Sequence, residues 1–200
     1  MNPSVIDVAI VEDHTVFRQA LAAAIAGAPD MAVAGMAEDV DGGLELLAAA
    51  RPDVLLVDLG LPSGSGLALI HEARRRWGDA CVCAVLTMTG NETHLLKAIR
   101  AGARGYLFKS DDELAWVAGL RTLANGGGLM HGSLARHMLA VPDSKQDASV
   151  RPLFELLAAG YCLDEAACRL ALTEQEAAIQ IGRCYARIQD LAPGPSSRET

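Results

Sequence analysis

Over residues 5–124, short runs of Val, Ile and Leu take turns with stretches whose apolar residues recur every three or four positions, and few folds accept that rhythm. VIDVAIV (5–11), MAVAGMAE (31–38), DVLLVD (53–58), ACVCAVL (80–86) and RGYLF (104–108) read as strands. TVFRQALAAAIAG (15–27), DGGLELLAAAR (41–51), GLALIHEARRRW (66–77), THLLKAIRAG (93–102) and DDELAWVAGLRTLANGGG (111–128) read as helices. The first of these carries Phe17, Leu21, Ala24 and Ala28 at helical spacing and is stopped by Gly27 and Pro29. Five strands alternating with five helices predict a parallel, doubly wound α/β sheet. The fifth helix has acids in its first turn and glycines past its end, with Leu114 and Val117 on one stripe and Trp116, Leu120 and Leu123 on another. A face that broad fits deep packing and a dimer or domain contact equally well.

The remainder carries helical segments between a linker and a tail. VPDSKQDAS (141–149) reads as a linker, followed by helical segments VRPLFELLAAG (150–160), LDEAACRL (163–170) and TEQEAAIQIGRCYARIQDL (173–191), and by a frayed tail, APGPSSRET. The expected division is therefore a domain over 1–128, a linker over 129–149 with room for a short helix, a small all-α domain over 150–191 and a flexible tail over 192–200. A hydrophobic fraction of 51% supports a real core. No apolar stretch approaches the length of a bilayer span, and MNPSVIDVAIVED has neither a basic n-region nor a long apolar h-region, so a cytoplasmic location away from membranes is expected. The five cysteines form no CxxC pair and are expected to be reduced packing thiols. A net charge of −8 gives no global electrostatic reason to bind nucleic acid.

In a doubly wound sheet, ligands bind outside the carboxyl ends of the strands, where strand order reverses. The first strand ends in Glu12 and Asp13, the third in Asp58, the fourth in Thr87 and the fifth in Lys109. Three crowded carboxylates repel one another, and a divalent cation such as Mg2+ relieves that repulsion. Asp58 can then act as a nucleophile toward phosphorus, with Lys109 pairing one phosphoryl oxygen and Thr87 hydrogen-bonding another. A dinucleotide site is excluded because the loop after the first strand reads EDHTVF and not G-x-G-x-x-G; a P-loop is equally absent, and DLGLP does not resemble the phosphatase pattern D-x-D-x-T.

VAIVEDHTVFRQAL, VLLVDLGLPSGSGL, VLTMTG and RAGARGYLFKS together resemble the receiver domain of bacterial two-component response regulators over about residues 5–124. That resemblance implies a flavodoxin-like five-stranded parallel sheet in the order 2-1-3-4-5. It implies Mg2+ held by Glu12, Asp13, Asp58 and the backbone carbonyl of Gly60, and phosphoryl transfer from a sensor histidine kinase to Asp58. Thr87 and Tyr106 would form a switch pair, and phosphorylation would promote a homodimer. No enzymatic turnover is expected beyond phosphorylation of Asp58 and its hydrolysis. His14, beside the acids, is read as belonging to the start of the first helix.

LFELLAAGYCLDEAACRLALTEQEAAIQIGRCYARI resembles the helix-turn-helix output domain of the LuxR/NarL type, implying transcription regulation. The family's opening L-T-x-R-E would fall on QDASV and is missing, and the usual basic and hydroxyl positions of the DNA-reading helix become Gln175, Glu176, Ala178 and Ile179. DNA readers need basic or amide side chains there, and cations against phosphate. Residues 146–191 hold four arginines, no lysine and seven acids, a net of −3. Arg183 and Arg187 remain as candidates for residual DNA contact. Two outputs follow: transcription control through an eroded DNA-binding domain, or a regulator without DNA contact that acts through proteins or as a phosphate sink.

Overall fold

The computed structural model describes residues 5–88, 92–140 and 149–190. The strands are β1 (Ile6–Val11), β2 (Met31–Ala37), β3 (Val54–Asp58), β4 (Val82–Thr87) and β5 (Ala103–Phe108). They are joined by α1 (Thr15–Gly27), α2 (Val40–Ala49), α3 (Leu67–Trp77) and α4 (Glu92–Ala101), and α5 (Glu113–Ala124) follows β5. All neighbours in the sheet are parallel, in the order β2-β1-β3-β4-β5, which is the predicted doubly wound topology. The reversal between β1 and β3 opens the crevice at their carboxyl ends.

Alternation along the strands separates two cores. Val8, Ile10, Val54, Leu56, Ala84, Leu86 and Leu107 face α1 and α5, where Leu21, Ile25, Trp116, Leu120 and Leu123 close that side. Ala9, Val11, Leu55, Val57, Cys83, Val85 and Tyr106 face the other side, toward Leu47, Leu69 and Ile99 of α2–α4. The broad apolar face of α5 is thus mostly sheet packing, and Leu114 stays 81% exposed. The α5 helix holds the whole apolar pattern but is shorter than the stretch 111–128: Asp112 caps it by accepting from the Ala115 amide at 2.8 Å, and it ends at Ala124. Glycines 126–128 therefore lie outside it. All five cysteines are free.

Beyond the receiver lie α6 (Gly132–Ala140), α7 (Arg151–Ala158), α8 (Leu163–Arg169) and α9 (Glu174–Asp190). Leu134, Leu153, Phe154, Ala166, Ile181 and Tyr185 belong to the same continuous apolar cluster as the α2–α4 side of the sheet. Residues 141–148 of the expected linker over 129–149, and the expected tail over 192–200, lie outside the described residues. No helix among the described residues is long and apolar enough to cross a membrane.

Candidate functional site

β1 delivers Glu12 and Asp13 to the crevice, and β3 ends on Asp58. Each can offer one oxygen such that all three lie within 4.8 Å of one another. Lys109, one residue past β5, places its Nζ 2.5 Å from Asp58 Oδ2 and 2.7 Å from Glu12 Oε1. Glu12 is fully buried. Its Oε2 lies 2.6 Å from the ammonium yet accepts no hydrogen bond. A buried carboxylate oxygen without a donor is the kind of atom a cation satisfies.

Burial raises the Glu12 carboxyl above the ordinary carboxylate range, against the pull of the Lys109 hydrogen bond and charge. Desolvation lowers the Lys109 pKa, but its bonds to Asp58 and Glu12 outweigh that and hold it above the usual lysine value. One ammonium therefore serves several clustered carboxylates, and the donor set fits a hard divalent cation.

Residues without an obvious signature support this centre. His14 Nδ1 accepts from the Phe17 amide at 3.2 Å and is the N-cap of α1, whereas the Glu12 side chain accepts from the His14 amide at 3.1 Å and shapes the turn. Arg18 donates to the Glu12 and Asp13 carbonyls and pairs with Glu38, bracing the acidic loop from below. The Phe17 ring centroid lies 5.3 Å from Lys109 Nζ, and that ring meets Trp116 edge-on at 5.2 Å. Trp116 Nε1 donates to the Phe108 carbonyl at 2.9 Å, tying the residue before Lys109 to α5. The Gly60 amide donates to Asp58 Oδ1 at 2.8 Å. Of these, Arg18 had a weak sequence signal, one turn beyond the acids; the ring contacts had none.

Thr87 ends β4, and its carbonyl accepts from the Lys109 amide at 2.8 Å. Tyr106 lies in β5, three residues before Lys109, and is only 1% exposed. Its ring stacks on His131 at 5.0 Å, and its hydroxyl accepts from the His131 amide at 3.3 Å. Tyr106 thus reaches the residue that leads into α6. Arg183 and Arg187 lie far along the chain from that crevice, exposed and one turn apart on α9. At the start of α9, Thr173 and Glu176 cap each other: the Thr173 amide donates to Glu176 Oε2 at 2.8 Å, and the Glu176 amide to Thr173 Oγ1 at 3.2 Å. The hydrogen bonds from Thr173 hold the Glu176 carboxyl below the usual range.

Residues 8–118, more than half of the chain, match the response regulator receiver domain family. The DNA-binding transcriptional activator DevR/DosR of Mycobacterium tuberculosis is 29% identical over 192 residues, covering 92% of this chain and 88% of that protein. The transcriptional regulatory protein DegU of Brevibacillus brevis is 28% identical over 139 residues; the match covers 70% of this chain and 58% of DegU. Among solved structures, a LuxR-family two-component response regulator from Aurantimonas sp. SI85-9A1 is similar, with TM-score 0.61 and 29% identity over 68% of this chain and 96% of that one. The fold and its strand-end acids define a receiver. The chain belongs to the response regulators, in the LuxR/NarL group.

Proposed function

We propose that this protein is a phosphorylation-switched response regulator in which Asp58 accepts a phosphoryl group from a sensor histidine kinase. The observation that carries this is the Lys109 ammonium held between Asp58 and buried Glu12, with Asp13 completing the carboxylate cluster. An Asp58 oxygen attacks phosphorus as the donor's P–N bond breaks, and the electron pair and a proton go to the departing imidazole. Lys109 then exchanges its pairing with the bare carboxylate for a phosphoryl oxygen, and Thr87 hydrogen-bonds a second one. Glu12, Asp13, Asp58 and the Gly60 carbonyl would hold Mg2+, which when bound neutralises phosphoryl charge. Tyr106 follows Thr87 as the switch residue. Asp58→Asn should abolish incorporation of labelled phosphate from acetyl phosphate in magnesium buffer, while the fold, read by circular dichroism, is kept. Label still entering the variant refutes the assignment.

For the output, the similarity to DevR/DosR supports control of transcription, with homodimers forming on phosphorylation. A second route, through protein contacts without DNA, is favoured by the start of α9, where Glu176 is engaged in a helix cap at a position expected to carry a DNA-contacting hydroxyl. Fluorescence anisotropy of the full chain on duplex DNA over a salt series, with magnesium and beryllofluoride as phosphoryl mimic, separates the routes. Binding that weakens as salt rises selects the first.

A further inference from the structure

The DNA-reading position in the chain is taken by α9, and α9 is engaged elsewhere. It lies along the side of the receiver formed by α4, β5 and the segment after α5. Ala178, at a position expected to be basic, is 1% exposed. Its carbonyl accepts from the Gly128 amide at 2.8 Å. One turn on, Gly182 meets bare backbone: a Cβ there would lie 2.8 Å from the Gly126 carbonyl oxygen and 3.2 Å from the Gly128 nitrogen. A Cβ on Gly128 would in turn lie 2.8 Å from the Gly182 nitrogen. Real side-chain carbons do not approach backbone so closely, so both strands of this contact require glycine.

The same stripe continues to the end of the helix. The Tyr185 hydroxyl, in a fully buried side chain, donates to the Leu129 carbonyl at 2.9 Å. The Gln189 side-chain Nε2 donates to the Ala103 carbonyl, at the first residue of β5, at 3.0 Å. Residues 178, 182, 185 and 189 fall on one helical face, and every one of them meets backbone of β5 or of the segment directly after α5. Glycines 126–128 form the floor of this dock.

We propose that α9 is a receiver-docking helix whose stripe Ala178–Gly182–Tyr185–Gln189 stays bound to the α4–β5 side in both phosphorylation states, so that α9 does not read DNA. This deepens the second output route. The partner of that receiver face is the chain's own α9, so receiver pairing in a dimer must use another face. A basic side chain at 178 has no room in the dock, and undocking exposes Tyr185, Ile181 and a run of unpaired backbone groups. The helices α6–α9 therefore move with the receiver and present Arg183, Arg187 and the outer turns of α7 and α8 to partners.

Hydrogen exchange of the full-length protein, with and without magnesium and beryllofluoride, tests this directly. Peptides spanning 177–189 should stay protected in both states, their rates changing by less than about threefold, and duplex DNA should bind in neither. Exchange there accelerating by about tenfold or more on engagement of the mimic, together with salt-sensitive DNA binding, overturns the proposal. Ala178→Lys gives an independent check: exchange at 177–189 should rise in the free protein, and wild-type protection in a folded variant also overturns it. If that variant does not fold, Gln189→Ala replaces it and should raise exchange at the C-terminal end of α9; unchanged rates there overturn the docking. If peptides around Asp58 and Lys109 show no response to the mimic, the phosphorylation reading fails, while protection of 177–189 in the free protein still decides the docking.

Discussion

His131 is wedged between two receiver rings, stacked on Tyr106 and edge-on to Phe108 at 4.4 Å. Desolvation lowers its pKa from 6.5, against the attraction of Asp111. Its neutral form is thus favoured in the folded state, and the unfolded chain binds the extra proton first as pH falls. The stabilising contribution is complete above pH 6.5, and it is lost as pH falls through the lower folded value. His131→Phe keeps the ring contacts and should flatten the fall in melting temperature between about pH 8 and about pH 5; an unchanged slope means other groups set it. At the acidic centre, Phe17→Leu removes the ring beside Lys109. A cation–π contact worth about 0.5–1 kcal/mol predicts phosphoryl uptake from acetyl phosphate slower by about two- to fivefold. Unchanged uptake would leave Phe17 a packing residue only. Asp58, Glu12, Asp13 and Lys109 were legible because strand ends put them together. Phe17, Trp116 and His131 were not, because rings of that kind usually belong to the core, and their neighbours are set by tertiary packing.

Between α8 and α9 the chain turns through Ala171 at φ +55°, the one non-glycine residue with positive φ among the described residues. The Leu172 amide donates to the Ala167 carbonyl at 2.9 Å and the Ala171 amide to Cys168 at 3.2 Å, a left-handed helix stop that glycine fits best. An L-residue there costs about 1–2 kcal/mol, partly offset by the greater freedom glycine has in the unfolded chain. Ala171→Gly should therefore stabilise the protein by about 0.5–1 kcal/mol in urea denaturation. A loss of stability would show that the methyl group packs against something worth more than the strain. At the same scale, Gly66 shows the reverse: a Cβ there would lie 2.1 Å from the Asp58 carbonyl oxygen. Gly66→Ala should cost roughly 2 kcal/mol or more and shift the loop that follows Asp58. Unaltered stability and phosphoryl uptake would mean that the loop gives way without loss. The helix and strand order was readable from periodicity alone, whereas the purpose of glycines 126–128 was not. As a helix stop they look ordinary, and only the approach of Gly182 shows why side chains are missing.

For the molecule as a whole, the continuity of the α2–α4 core with α6–α9 decides how it unfolds. Two domains tethered by a linker would melt separately, or respond separately to a mutation in one of them. Here Tyr185 in α9 bonds the carbonyl of Leu129, whose own amide donates to the Arg104 carbonyl of β5, and Gln189 bonds β5 directly. Both tryptophans, Trp77 and Trp116, lie in the receiver, so their fluorescence reports that part alone, while far-ultraviolet circular dichroism reports all the helices. A division at residues 129–149 is natural from the sequence, because Pro142 and the polar residues around it mark a chain break in composition. Composition cannot reveal that the helices beyond the break return to the sheet. Tyr185→Phe removes one buried hydroxyl, leaves the Leu129 carbonyl without its partner, and should cost about 1–2 kcal/mol. If the two parts share one cooperative core, the tryptophan and circular-dichroism midpoints coincide in the wild type and fall together in the variant. A variant whose circular-dichroism midpoint falls while the tryptophan midpoint stays would divide the molecule into two units, and the intramolecular dock would then be too weak to hold α9 against DNA.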